Sequence, residues 1–406
     1  MPYDRVTAPQ GRRSRLPARL VALLGLLLLP AALPAQRATL RVPLGTLEDR
    51  VAADSMDPAA HYDLGLAYWL SRRYDEAERH LRRAIAIEPH LAPGYLALAY
   101  LPYARRPKLW DEVRKGKVPA ELTAAVEEAD RFRRKAFLID PLVDLKPLAL
   151  MIPPASSFGL KGNSEAVYTY IMNGFGSFWD GQYGRAYQFF HEIGGNASEE
   201  EHQRFPSWFL WYEALAAAHA NDFDRATTNL RTLLARAQSD QNVDAGAAIA
   251  FSEANHYRYT LACILDQAGR AREAIPLLEE ALTVDAGLYM AHARLAAIYA
   301  DQKRPQASLE ERRRAVAANP DDPGLLFDLG EALARAGQGA EAYAILKQAR
   351  EANPLNFRTL YVLGWAAQQV GRNDEAKDAY RSFIALAPSS FAEQKATATA
   401  RLETLQ

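Results

Sequence analysis

Residues 357–388 read FRTLYVLGWAAQQVGRNDEAKDAYRSFIALAP, and they end a run of three copies of one pattern between Tyr289 and Pro388. In this last copy Leu363-Gly364 is followed by Gly371, Ala376, Tyr380 and Pro388. In the copy before it Leu329-Gly330 is followed by Gly337, Ala342, Leu346, Ala349 and Pro354. The closing prolines Pro320, Pro354 and Pro388 stand 34 residues apart. A fixed period of this length specifies stacked supersecondary units, each burying its apolar face on its neighbours.

The rest of the 406-residue chain is consistent with that reading. Ala, Leu, Arg and Glu dominate, Val and Ile are sparse, and no long stretch alternates apolar with polar. High helix propensity without strand periodicity predicts an all-α chain. The formal charge of −1 gives no basic footprint for nucleic acid. Cys263 is the only cysteine, so an intramolecular disulfide or a cysteine-based metal site is excluded.

The first 35 residues read as an export signal. Arg5, Arg12, Arg13, Arg15 and Arg19 precede the apolar run Leu20 to Leu29, and Pro30, Pro34 and Ala35 follow. A positive flank, a short apolar core and small residues at the end predict cleavage before Gln36. The apolar run is about 14 residues against the roughly 20 that span a bilayer, which argues against a retained anchor. Removal of 1–35 takes the charge to about −5, by loss of five Arg and one Asp. The expected location is the periplasm or the exterior of a bacterial envelope, with no membrane span after cleavage.

From Gln36 the chain divides into an N-terminal capping segment (36–57), a repeat region (58–388) and a C-terminal capping helix (389–406). Thr46 and Asp49 mark a helix start, with Leu47 and Val51 on one face. Repeat one carries Leu64, Gly65, Tyr68, Tyr74, Ala77, Leu81, Ala84 and Pro89. Gly65 and Ala77 are small where paired helices approach, and Asp75 and Glu76 suit the positive end of the second helix. Repeat two stretches: Ala99 to Ala129 is 30 residues where the pattern wants 12. The insertion, near 102–119, holds Arg105, Arg106, Lys108, Trp110 and Lys117, either as a contact loop or folded back on the helices. Further irregular stretches fall near 142–164, 194–204 and 242–254. Repeat six is weak, with Ser308 and Arg312 where Ala and an aromatic are usual. Ser390 and Glu393 suggest a capping box for the closing helix, whose apolar face is Phe391, Ala398, Leu402 and Leu405.

This pattern resembles the tetratricopeptide repeat, with eight partial matches, four of them in phase. The resemblance implies a right-handed superhelical solenoid of about eight helix-turn-helix repeats with capping helices. It also implies a function, holding protein or peptide partners in a concave groove lined by the first helix of each repeat. The matching groove positions are Tyr62 and Trp69 in repeat one, then Tyr168, Phe175, Phe178 and Trp179 in repeat three. Repeat four supplies Trp208, Trp211 and Tyr212, repeat five His256 and Tyr259, and repeat eight Trp365. The polar positions Asp266, Gln267, Arg294, Asp301, Asp328, Glu331, Arg335 and Arg358 follow toward the C-terminus. Tyr and Trp at this density suit a partner anchor, although one of the inserted stretches could instead fill the groove as core. The Lys and Asn that grip a partner's C-terminal carboxylate in chaperone adaptors are absent, with Tyr62, Leu66, Ala97, Ile171 and Met172 in those places.

Catalytic constellations are missing. There is no His-Glu-x-x-His, nucleophile elbow or phosphate-binding loop, and Gly174, Gly176 and Gly181 lack a strand-turn-helix context. His61 and His292 read as structural histidines. His191, Glu192 and the run Glu199-Glu200-Glu201-His202 read as a solvated acidic loop, not a metal site. The expectation is a non-catalytic scaffold of the cell envelope, without cofactor, holding a peptide or partner helix. A glycan-binding scaffold of polysaccharide export and a small-ligand pocket are the alternatives.

Overall fold

The computed structural model describes residues 42–114, 116–143, 173–178, 181–194, 198–202, 205–239 and 253–405. The proposed signal segment, Tyr168, Trp179 and most of the stretches 142–164 and 242–254 lie outside them. Every regular element described is helical. α1 (Leu44–Ala53) caps the hairpin of α2 (Pro58–Leu70) and α3 (Tyr74–Ile87). α4 (Ala92–Arg105) pairs with α6 (Thr123–Ile139) across the short α5 (Leu109–Arg114). Residues 173–178 precede α7 (Tyr183–Gly194) and the single turn α8 (Glu199–His202). Five hairpins then follow: α9 (Ser207–His219) with α10 (Phe223–Gln238), α11 (Ala254–Gln267) with α12 (Ala271–Val284), and α13 (Tyr289–Asp301) with α14 (Pro305–Ala318). The last two pair α15 (Pro323–Arg335) with α16 (Gly339–Ala352) and α17 (Phe357–Gln369) with α18 (Asn373–Leu386). α19 (Ala392–Thr404) closes a helical solenoid.

The 34-residue period repeats a turn geometry. Gly269, Lys303, Gly337 and Gly371 all take left-handed backbone, with φ between 57° and 74–75°. Arg72, Gly181 and Asn221 do the same in earlier hairpins. The amide one residue later then bonds the carbonyl five positions back, as in Arg270 N to Leu265 O (2.8 Å) and Arg372 N to Ala367 O (2.9 Å). This bond satisfies a carbonyl left open at the end of the first helix and fixes the angle of the second. In several hairpins a glycine admits its neighbour: a Cβ on Gly364 would lie 2.7 Å from the Tyr380 ring, and one on Gly65 2.8 Å from Leu81.

Several local expectations are corrected. α4 runs through Pro102 to Arg105, so the first residues assigned to the insertion belong to the helix. Ser390 makes no capping box; a 3-10 turn at Ser389–Phe391 leads into α19, and no side chain caps it. Ser308 replaces alanine because its hydroxyl donates to Ala296 O at 2.7 Å, tying α14 to α13. His202 is buried rather than solvated. Its Nε2 lies 3.0 Å from Glu213 and 3.1 Å from Asn229, and Asn229 donates to Glu213 at 2.7 Å.

The array bends until its beginning meets its end. The C-terminal ends of α3 and α6 lie against the first helices of the last four repeats. Tyr259 donates to Leu138 O, and Lys135 pairs with Asp322 at 2.7 Å. His90 sits on Gly324, Glu88 pairs with Arg358 at 2.8 Å, and Asn353 donates to Ala86 O. Met56 and Ile87 share a buried apolar cluster with Phe357, Leu360, Tyr380 and Phe383. The repeat corners thus cover part of this inner face.

Candidate functional site

The inner face is built from first helices, and the two central ones are covered on every side. Ser207 to Ala218 is buried without a break, as is His256 to Leu265. Helices buried on every face belong inside a core, and their polar side chains are paired: Glu213 with His202 and Asn229, Arg258 with Glu280. Phe175 lies edge-on to Tyr212 (4.8 Å between centroids) and against Trp208 (5.8 Å), and Phe178 is edge-on to Tyr212 at 5.7 Å. Trp211, 1% exposed, packs on His256 and Tyr257. Burial pushes the His256 imidazole down to about 3, so it stays neutral.

The expected groove residues thus divide by exposure. Trp69, Phe175, Phe178, Trp208, Trp211, Tyr212, His256 and Tyr259 are all buried. This departs from the expectation of open anchors. Phe175 and Phe178 are covered by Trp208 and Tyr212 of the next repeat, Trp211 by His256 and Tyr257, and Tyr259 meets the end of α6 at Leu138 O. Tyr62 and Trp365 are half-buried, and the Arg401 guanidinium lies 5.7 Å from the Trp365 ring centroid. No described tryptophan ring stands fully open, as stacking on a sugar would require. Gln267, Asp301, Arg335 and Arg358 are exposed. His61 and His292 are satisfied structural histidines: His61 reaches His80 at 2.9 Å and Ser55 O at 3.1 Å, and His292 reaches Glu311 at 2.6 Å.

Where α6 ends against α11 and α13, a cavity of about 430 Å³ remains. Its walls are Ile139 to Leu142, His219, Cys263, Ile264, Asp266, Gln267 and Arg294. Arg294 reaches Asp266 at 4.0 Å and Ile139 O at 3.5 Å. Burial raises the Asp266 carboxyl against the opposing pull of Arg294, and burial likewise raises the Cys263 thiol. His219 stacks on Tyr183 at 3.7 Å. Among the described residues no three His, Cys, Asp or Glu side chains converge as metal ligands. No described helix is long and apolar enough to cross a membrane.

The tetratricopeptide repeat family matches residues 58–91, 259–323, 300–356 and 357–390. These ranges include hairpins whose left-handed turns recur in register. The chain is a tetratricopeptide-repeat protein. A cytochrome c-type biogenesis protein, CycH of Bradyrhizobium diazoefficiens, is 36% identical over 80 residues, 19% of this chain. The chain spans about a fifth (22%) of that relative's length. Among solved structures, a MamA protein aligns over 45% of this chain and 91% of its own, at 18% identity and a TM-score of 0.36. The C-terminal part of a repeat protein from Cytophaga hutchinsonii aligns over 58% of this chain and 88% of its own, at 15% identity and a TM-score of 0.45. Tetratricopeptide repeats make this chain a protein-interaction scaffold in kind.

Proposed function

We propose that this tetratricopeptide-repeat protein is a non-catalytic scaffold of the cell envelope that holds a peptide or helical segment of a protein partner against its first helices. The observation that carries the reading is the split of those helices into a buried aromatic floor and an accessible polar rim. Trp208, Trp211, Tyr212, Phe175, Phe178 and Tyr259 make the floor rigid. Tyr62, Trp365, Gln267 and Arg358 keep accessible area, and partner contacts are assigned to them together with Tyr168 and Trp179 of repeat three. The envelope assignment rests on the signal-like residues 1–35 and is supported by the CycH likeness.

The test is affinity capture from envelope extract with the chain from Gln36 onward, in parallel with Tyr62→Ala and Trp365→Ala. The expected result is one protein retained by the parent chain and depleted by variants whose helicity is intact. Equal recovery by folded variants would overturn the assigned contacts. Mass measurement of the exported chain checks cleavage before Gln36.

A further inference from the structure

The seam between the two ends of the array is closely packed over most of its length. A Cβ added to Gly324 would lie 2.4 Å from His90, and Tyr259, against Leu138 O, is fully buried. Protein interiors leave few voids larger than a water molecule. The seam opens at Arg294 into a partly open cavity of about 430 Å³, a size in the range of small-molecule sites. Three separated parts of the chain wall it: the end of α6, the end of α9, and the facing sides of α11 and α13. Its walls thus come from both sides of the seam.

The chemistry of its walls is mixed and specific. Arg294 carries a planar fork of donors. Its contacts at 3.5 Å to Ile139 O and 4.0 Å to Asp266 are longer than the usual reach of an N–H···O bond. The Tyr259 hydroxyl takes a further donor, and the remaining donors of the five-donor fork suit a planar carboxylate, the group it matches best. Asp266 stands on the same wall, half-buried. Asp140 spends one oxygen on the Leu142 amide at 2.9 Å and retains the other. Ile139, Pro141, Leu142 and Ile264 supply apolar surface between these groups. One cation beside two carboxylates suits neither a simple anion nor an apolar guest. It suits a molecule that brings both signs.

We infer that this cavity is a binding site for a small zwitterion of the amino-acid or short-peptide class, its carboxylate on Arg294 and its ammonium toward Asp266 and Asp140. This site is independent of the partner surface proposed above. Because its walls come from both sides of the seam, an occupant stabilises the closed array by mass action.

The probes are the dipeptide Ala-Ala, its N-acetyl derivative, which keeps only the carboxylate, and its C-terminal amide, which keeps only the ammonium. Each is titrated into the full chain by calorimetry, with thermal melting alongside. The expected result is saturable binding of Ala-Ala with a raised melting temperature, weakened at least about tenfold by either cap. Arg294→Gln should remove binding of Ala-Ala and of the N-acetyl form. Asp266→Asn should weaken Ala-Ala but leave the N-acetyl form unchanged, and it decides the matter if Arg294→Gln loses helicity. Absence of saturable binding to the parent chain, or equal binding of all three probes, overturns the inference. So does unchanged Ala-Ala binding by folded Asp266→Asn.

Discussion

The ammonium of Lys135, near the end of α6, lies 2.7 Å from the carboxylate of Asp322, 187 residues further on. The same carboxylate group caps α15 by accepting from Gly324 N and Leu325 N. Lys135 also sits 4.7 Å from the Tyr95 ring centroid. Burial works against its charge, but Tyr95 and Asp322 outweigh that and hold it above the ordinary lysine value. One carboxylate thus starts a C-terminal repeat and fastens an N-terminal one to it.

Removing that link should loosen closure. Lys135→Ala strands a carboxylate that is only 4% exposed, and leaving such a charge unpaired costs about 2–4 kcal/mol after allowance for the lysine's partial exposure. The expected outcome is a lower denaturant midpoint together with a larger radius of gyration by small-angle scattering. An unchanged radius in a destabilised variant would show that closure does not depend on this pair.

The buried His202–Glu213 contact predicts stability that falls as pH rises. Burial opposes protonation of His202, but its bond to Glu213 outweighs this and raises its value above the ordinary 6.5. A raised folded value contributes stability that is fully present below the unfolded value and lost as pH rises through the folded one. Urea midpoints between about pH 5 and 9 should show this loss, and Glu213→Gln should flatten it. A parent profile that is flat or rising above the ordinary histidine value rules out the charged pair.

His61 and His80 should act in the opposite direction. Burial lowers both, with neighbouring His61 adding to the effect on His80. Their Nδ1 atoms are 2.9 Å apart, so at most one proton fits between them. A lowered histidine value gives stability that is lost as pH falls below the unfolded value of about 6.5. His80→Gln should reduce this acid-side loss while leaving the alkaline-side effect of His202 in place, as read from midpoints on both sides of neutrality.

Position 303 is a turn where the period calls for glycine and the chain has lysine. Lys303 holds φ at 57°, while Gly269, Gly337 and Gly371 hold 74–75°. Left-handed backbone costs a residue with a Cβ about 1 kcal/mol, partly offset by the extra freedom glycine has when unfolded. Lys303→Gly is expected to raise stability by about 0.5 kcal/mol, and Gly371→Ala to lower it by about 1 kcal/mol. Paired denaturant curves measure both, and a stabilising Gly371→Ala would contradict the turn argument.

Much of the helical layout was legible because its causes are local. Gly364 meets Tyr380 and Gly65 meets Leu81 within one hairpin, so the spacing of small and large residues records the contact. The role of Ser308 was not legible, since a serine in an alanine position shows nothing of the carbonyl it bonds. His202 was misread because its partners Glu213 and Asn229 lie on later helices and leave no short-range spacing. One signal was available for the buried floor: apart from Ser207 and Glu213, the stretch Ser207 to Ala218 is apolar or aromatic round the helix, which fits a covered helix better than a groove wall.

By itself the sequence determined the repeat, its phase and its turns, since a 34-residue period is enforced by contacts inside each hairpin and between adjacent ones. Only the tertiary structure decided what faces the inner surface. Small rotations between neighbouring repeats accumulate along an array, and their sum carries the Ala86–His90 corner to Asn353, Gly324 and Arg358. No residue pattern of one repeat's length encodes a meeting between Ala86 and Asn353, 267 positions apart. Contacts of this long range cover part of the inner face and wall the polar cavity at Arg294.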